Sequence, residues 1–281
     1  MIGLRLSRSL PRLLMSLALL AFVLFLAFPV VWLALTAFKP PGEIGLGQAH
    51  LLPQAPTLEN FRTAVVDQGV LLSAYNTLKV SLISAALTLL IATPAAYLLA
   101  RRRSGMNRAV TAWILVSQTF PVILIIVPLF LLLARLGLVD THTGLVLVYV
   151  VWSLPFVLWT LQGYVKGIPV SLEEAASIDG ASQLQIVGRV LVPLLVPGLV
   201  ATGLYAFINA WNEFFFALVL LKSPELVTIQ VSLSRLRGVE GLARWGPLAA
   251  GSLIATVPTL LLFAVLQRRL VSGLLGGATK E

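Results

Sequence analysis

The residues able to do chemistry in this sequence fall into two sets, and neither is a catalytic constellation. The first is a polar segment running from Ser171 to Gln185, with Glu173, Glu174 and Asp179 set around Ala175, Ala176 and Gly180. Ser171 with Glu174, and Ser182 with Gln185, have capping-box spacing, in which a hydroxyl and a carboxylate or amide satisfy orphan backbone donors at a helix start. Leu172, Ala175 and Ala176 form a small apolar stripe at spacings of three and four, so another backbone can come close. The second set lies in apolar surroundings: Gln118, Asn209, Asn212 and Glu213. Such donors and acceptors suit a passage for a hydroxyl-rich solute; the same groups equally suit hydrogen bonds between helices.

Absences narrow the chemistry further. The chain has no cysteine and only two histidines, His50 and His142, far apart. Disulfides and thiolate metal sites are excluded, and a zinc or haem site has no ligand set. There is no Gly-Lys dipeptide, which a phosphate-cradling P-loop requires. A membrane enzyme would need His, Asp or Cys clustered near one face, and an ion-coupled transporter paired intramembrane acids or matched broken helices; neither pattern is evident.

The elements that must position these residues follow from composition. The 281 residues are 58% hydrophobic and 11% charged, against about 25% charged in soluble chains; mean hydropathy is +0.97. A bilayer core takes roughly 20 apolar residues as a helix. Six runs qualify: 13–35, 71–100, 109–134, 143–165, 198–221 and 245–267. The expected fold is therefore all-α integral membrane, with six transmembrane helices forming one domain over 13–281 after an N-terminal segment 1–12. Pro29, Pro94, Pro121, Pro128, Pro155 and Pro258 should kink these helices. The first run has Arg5, Arg8 and Arg12 before it, as a signal peptide would. Its 23 residues exceed an h-region of about 7–15, which favours an uncleaved span.

Net charge is +9, but the basic residues flank apolar runs, which points to membrane orientation rather than to nucleic acid. Segments 1–12, 101–108, 166–197 and 268–281 carry twelve Lys and Arg, including Arg101, Arg102 and Arg103; the other side carries eight. Both termini are expected in the cytoplasm. Segments 38–70 and 222–244 then lie outside, and 166–197 inside. Within 166–197 the spacing predicts a helix over about 172–179, a turn at Gly180 where positive φ is free of strain, and a second helix over about 183–191 stopped by Pro193 and Pro197. So short a first helix needs a surface to lie against, on this chain or on a partner.

Here the sequence resembles the permease subunits of binding-protein-dependent ABC importers. Their cytoplasmic motif reads Glu-Ala-Ala, three residues, Gly, nine residues, Ile, any residue, Leu-Pro. This chain has Glu174-Ala175-Ala176, Gly180, then Val190, Val192 and Pro193 at that spacing, with Val at both aliphatic positions. Pro56-Thr57-Leu58, Asn60-Phe61, Asn76-Thr77, Pro128-Leu129-Phe130 and Ala210-Trp211-Asn212-Glu213 extend the resemblance to the sugar-importer branch, near the second, shorter permease of maltose-type systems. The resemblance implies a coupling helix in loop 171–193, with Glu173, Glu174, Ala175, Ala176, Asp179, Gly180 and Pro193 as its coupling residues. It implies a prokaryotic inner-membrane location. The implied partners are a second homologous permease, two cytoplasmic ATPase subunits that bind the ATP, an external binding protein and membrane lipid. No cofactor or nucleic acid is expected on this chain. The alternative solutes are glycerol-phosphate-like compounds or polyamines; a phosphate would prefer an Arg in the cavity, and none lies deep in a span.

Overall fold

Backbone groups at membrane depth must pair within their own segment, so a chain this apolar is helical; no strand occurs among the described residues. The computed structural model describes residues 3–44, 50–102, 105–237 and 244–278. Arg103 and Lys280, two of the basic residues assigned to the inner side, and Met1 and Ile2 of segment 1–12 lie outside them. The principal helices are α1 (Gly3–Ala37), α2 (Val70–Arg101), α3 (Gly105–Ser117), α4 (Val122–Arg135), α5 (His142–Gly167), α6 (Ser171–Ile178), α7 (Val192–Asn212), α8 (Phe215–Leu220), α9 (Ile229–Arg235) and α10 (Trp245–Ala278).

Among the described residues, five helical stretches are long and apolar enough to cross a membrane: Leu13–Ala37, Val70–Arg101, His142–Gly167, Gln183–Asn212 and Trp245–Gln267. Run 109–134 is not one helix. It is split into α3 and α4, of 13 and 14 residues. Pro121 is the cause: it takes extended backbone (φ −63°, ψ 128°) at the N-cap of α4, and a proline pushes the residue before it out of the helical region. Run 198–221 is likewise not continuous. Helix α7 ends at Asn212, Glu213 is extended (φ −69°, ψ 132°), and α8 starts afresh at Phe215.

Pro193 and Pro197 do not stop the helix before them, contrary to the expectation from sequence. Residues Gln183–Gln185 form a helical turn, Ile186–Leu191 a π-helical turn, and α7 follows directly. The Val192 N–H reaches back five residues to Val187. That shift of register lets Pro193 fall in the first turn of α7, where a missing N–H is harmless. Pro94, Pro128, Pro155 and Pro258 all lie inside unbroken helices.

Residues 1–70 and 233–254 form one compact unit. The apolar side chains of Leu13–Val31 point outward, as lipid contact demands. The C-terminal carbonyls of α1 need partners, and buried Asn60 supplies them, its amide donating to Ala37 O (2.9 Å) and Lys39 O (2.7 Å). Buried Lys39 donates to His50 O at 2.5 Å and stands 4.7 Å from the Trp32 ring centroid. Gly246 passes so close to Asn60 that any Cβ there would overlap the amide.

Residues 71–232 and 255–281 form the second unit. Two apolar clusters stand out among its described residues. One joins Val80 of α2, Ile126 and Leu133 of α4, Leu145 and Tyr149 of α5, Phe216 and Leu220 of α8, and Val227. The other joins Val165, Ile186, Leu191 and Leu195, with Tyr97, Ala100, Ile168, Ala176 and Ala181 packed on them. The first cluster is closed off by Asp140, in the left-handed region at φ 59°. Its carboxylate accepts from Lys222 N, Ser223 N and Ser223 Oγ (2.8, 3.0 and 2.5 Å). Those bonds, the Ser223 hydroxyl foremost, hold the Asp140 carboxyl below its ordinary range.

Candidate functional site

The segment from Ile168 to Leu191 has one face tied down and one face open. Helix α6 starts one residue earlier than its hydroxyl signal implied. Val170 is the N-cap, so Ser171 lies within the helix and the expected Ser171–Glu174 capping box does not form. The turn is begun instead by Pro169 and Val170, whose carbonyls accept from Leu172, Glu173 and Glu174. The second box does form: Ser182 N donates to Gln185 Oε1 (2.8 Å) and Gln185 N to Ser182 Oγ (3.4 Å).

The end of α6 is a Schellman motif. Ala181 N bonds Ala176 O (3.0 Å) and Gly180 N bonds Ser177 O (3.1 Å), with Gly180 at φ +83°. Ala176 and Ala181, the two positions such a motif brings together, both pack on the Val165–Leu195 cluster. The expected turn at Gly180 is present, and the expected helix over about 172–179 is displaced by one residue, to Ser171–Ile178, whereas the second helix runs past 191.

Glu173 is turned inward, away from the other acids. Arg101 at the end of α2 donates to its Oε1 through Nε at 2.6 Å, and the second guanidinium nitrogen is also 2.6 Å away. Tyr97 donates to Oε2 at 3.1 Å, and Arg101 also reaches Ile168 O at 2.9 Å. The two charged side chains are 15% and 10% exposed, so this is a largely buried pair in which both carboxylate oxygens have donors. Arg101, read from sequence as an orientation signal, thus has a second task.

The open face carries Glu174, Ala175 and Asp179, all exposed. Beside them stand two residues that the sequence reading passed over: Ile178 and Leu184, 86% and 87% exposed. Large aliphatic side chains flanking Gly180 in a polar loop were the available signal. Pro193 is not part of this face; it belongs to the first turn of α7, beyond the π-helical turn.

The membrane-depth polar set divides. Asn209 and Asn212 are on the last turn of α7, each amide donating to its own helix, to Tyr205 O (3.1 Å) and Ile208 O (3.0 Å). Glu213 follows in the break. Its carboxylate accepts from Phe216 N (2.8 Å), Ala217 N (3.1 Å) and the Tyr149 hydroxyl (2.9 Å). These are orphan amides at the start of α8, where a carboxylate is also favoured by the helix dipole. Glu213 therefore makes a second helix start possible within an apolar run. Gln118 is exposed in the break between α3 and α4, and no hydrogen bond among the described residues joins it to this group. Trp211 is buried (2% exposed) and stacks on Phe207 at 5.7 Å, a packing role.

Replacing Glu213 by Leu is expected to destabilise the folded chain by about 1–3 kcal/mol, because buried donors are left unmet. Glu213→Gln, which keeps one acceptor oxygen, should lose less than half of that. Thermal unfolding followed by tryptophan fluorescence reads both. Unchanged stability with lost uptake would instead assign Glu213 to the solute path.

Residues 90–275 match the family of binding-protein-dependent transport system inner membrane components. A protein of Streptomyces antibioticus named as an ABC transporter permease is 54% identical over 82% of this chain and 100% of its own length. The sulfoquinovosyl glycerol transport system permease of Agrobacterium fabrum is 37% identical over 90% of this chain and 88% of its own. The diacetylchitobiose uptake system permease of Streptomyces coelicolor is 36% identical over 92% and 95%. A crystal structure of a bacterial ABC transporter that imports the acidic polysaccharide alginate contains a chain with the same fold, at a TM-score of 0.79 and 24% identity over 93% of this chain and 97% of that one. With α6, its Gly180 turn and the start of α7 all inside the matched residues, the chain belongs to the binding-protein-dependent transport system inner membrane components, a family of membrane permeases rather than enzymes.

Proposed function

We propose that this chain is the translocating subunit of an ATP-driven importer for a sugar or oligosaccharide, working beside a second homologous permease, two cytoplasmic ATPase subunits and an external binding protein. The observation that carries the reading is α6: a short helix with its back bonded to Arg101 and Tyr97 and its front, Glu174, Ala175 and Ile178, left exposed together with Asp179 and Leu184 just after it. A helix of eight residues is not stable alone, and an exposed apolar front calls for a groove on a partner. The partner hydrolyses ATP, since this chain has no phosphate-binding loop of its own. Glu174, Ala175, Asp179 and Gly180 shape the contact, Ala176 and Glu173 seat the helix on its own subunit, and Pro193 sets the start of α7.

With α6 in the cytoplasm of a prokaryotic inner membrane, both termini lie on that side and Lys222–Ile229 faces outward. Solute passes the polar end of α7, at Asn209 and Asn212, with Gln118 contributing from its own break. The sugar class is supported by relatives named for glycosides and a disaccharide and by neutral amide groups on this route. A polyamine would want a free carboxylate there, and Glu213 is engaged by α8 and Tyr149. A calorimetric screen of the cognate binding protein against mono-, di- and trisaccharides, glycerol phosphate and putrescine tests the class. Saccharide binding is expected; binding of the phosphate or the amine alone would overturn it.

A further inference from the structure

Among the described residues, helix α2 is hydrogen-bonded to other elements at both ends and not between them. At its inner end Arg101 and Tyr97 hold Glu173 of α6, Arg101 holds Ile168 O, and Gln162 of α5 donates to Leu99 O at 3.2 Å. At its outer end buried Asn76 donates to Glu225 O (2.8 Å) and Val227 O (3.3 Å). Beside it the Thr77 hydroxyl accepts from Ile229 N at 2.8 Å while donating to Ser73 O at 2.7 Å. Asn76 and Thr77 are 3% and 1% exposed, so these bonds are shielded from competing water.

The stretch between differs in kind. Its buried face is mostly small, with Ser81, Ser84, Ala85, Thr88, Ala92 and Ala96; the larger Val80 joins the first cluster and Leu89 packs against Gly203 of α7. The hydroxyls of Ser81, Ser84 and Thr88 have no hydrogen-bond partner. Among the described residues, no hydrogen bond joins 78–96 to another element. Few large side chains and no hydrogen bonds to other elements leave room for small shear displacements, the mode of packed helices. From Asn76 to Arg101 the rod spans about 38 Å at 1.5 Å per residue, enough to cross the hydrocarbon core.

We propose that α2 carries displacement of α6 across the membrane to the segment Lys222–Ile229, with Arg101 and Glu173 as positioning residues at one end and Asn76 and Thr77 at the other. The inference rests on the reading that α6 receives an ATPase. Movement of α6 is passed to α2 through the Arg101–Glu173 pair, travels along a helix that no hydrogen bond ties to another element between its ends, and is handed on by Asn76 and Thr77. No residue at either end touches solute; each acts through the position of another element.

Because the natural chain has no cysteine, one introduced cysteine reports one place. In the assembled transporter, with the other subunits free of accessible cysteines, an environment-sensitive dye is attached at Ser177→Cys on α6 or at Glu225→Cys on the outer segment. The probe is ATP with vanadate, which traps the closed ATPase. Both dyes should respond in the otherwise unaltered chain. Arg101→Met and the near-isosteric Thr77→Val should each reduce the response at position 225 by at least about fivefold, the scale of a coupling between sites. In Thr77→Val the response at 177 should remain. Should Thr77→Val leave the response at 225 intact, α2 is not the carrier. A dye at 177 that is silent in the unaltered chain overturns the ATPase reading itself, which separates the two failures.

Discussion

Gly180→Val is expected to disconnect ATP hydrolysis from uptake while the chain still inserts and assembles. Gly180 sits at φ +83° with nothing within 4 Å of where a Cβ would stand. Space is therefore not at issue; the backbone conformation is. An L-residue there loses roughly 1–2 kcal/mol, and a β-branched one more, so the Schellman motif opens and Ala181 leaves Ala176. The front of α6 then no longer presents Ile178 and Leu184 together. In reconstituted vesicles uptake should fall at least about tenfold, the effect of 1.4 kcal/mol or more at this one turn. Gly180→Asn should retain most of the activity, because Asn tolerates the left-handed region. Equal loss in both would show that the side chain's presence, rather than the turn, matters. Ala176→Trp should act similarly by a different route, by lifting the half-buried side of α6 off the Val165–Leu195 cluster.

The second large effect concerns the back of the same helix. Arg101→Met leaves the Glu173 carboxylate buried without its counter-ion, a change that typically destabilises by about 3–5 kcal/mol. That exceeds what one short helix gains from its remaining contacts, so α6 should detach and uptake should fall to background. Glu173→Leu removes the charge along with the need for a partner and should be milder. The exchange Arg101→Glu with Glu173→Arg should recover part of the loss. A double-mutant cycle on uptake measures the pair directly. Additive losses, with no recovery in the exchanged pair, would mean that the 2.6 Å contact does not bear on transport.

How much of this was readable beforehand depends on the range of the interaction. The Gly180 turn, the Ser182–Gln185 box and the limits of α6 were legible because each is made by residues within five positions of one another. The direction of Glu173 was not. Its partner Arg101 is 72 positions away, and nothing local separates Glu173 from Glu174, one inward and one outward on the same helix. The Ser171 box failed because Pro169 and Val170 had already begun the turn. The break at Glu213 was hidden by its surroundings, Phe214, Phe215 and Phe216, which keep the run apolar. Only the Tyr149 hydroxyl and the free amides of α8 explain why an acid stands there. The break before Pro121 was within reach of sequence reasoning, since the residue before a proline avoids helical backbone; the unbroken apolar run outweighed it. Pro193 misled in the opposite sense, because a π-helical turn cannot be foreseen from residue types.

The account depends most on what meets the front of α6. Cysteines placed singly at Ala175, Ile178 and Leu184, in a chain that otherwise has none, can be crosslinked in native membranes, with Leu147→Cys on the exposed face of α5 as the reference (Leu147 is 45% exposed). All three front positions should capture an ATP-hydrolysing subunit and the reference should not. If the front positions capture none, or capture it no better than Leu147→Cys, α6 is not where this permease receives its energy.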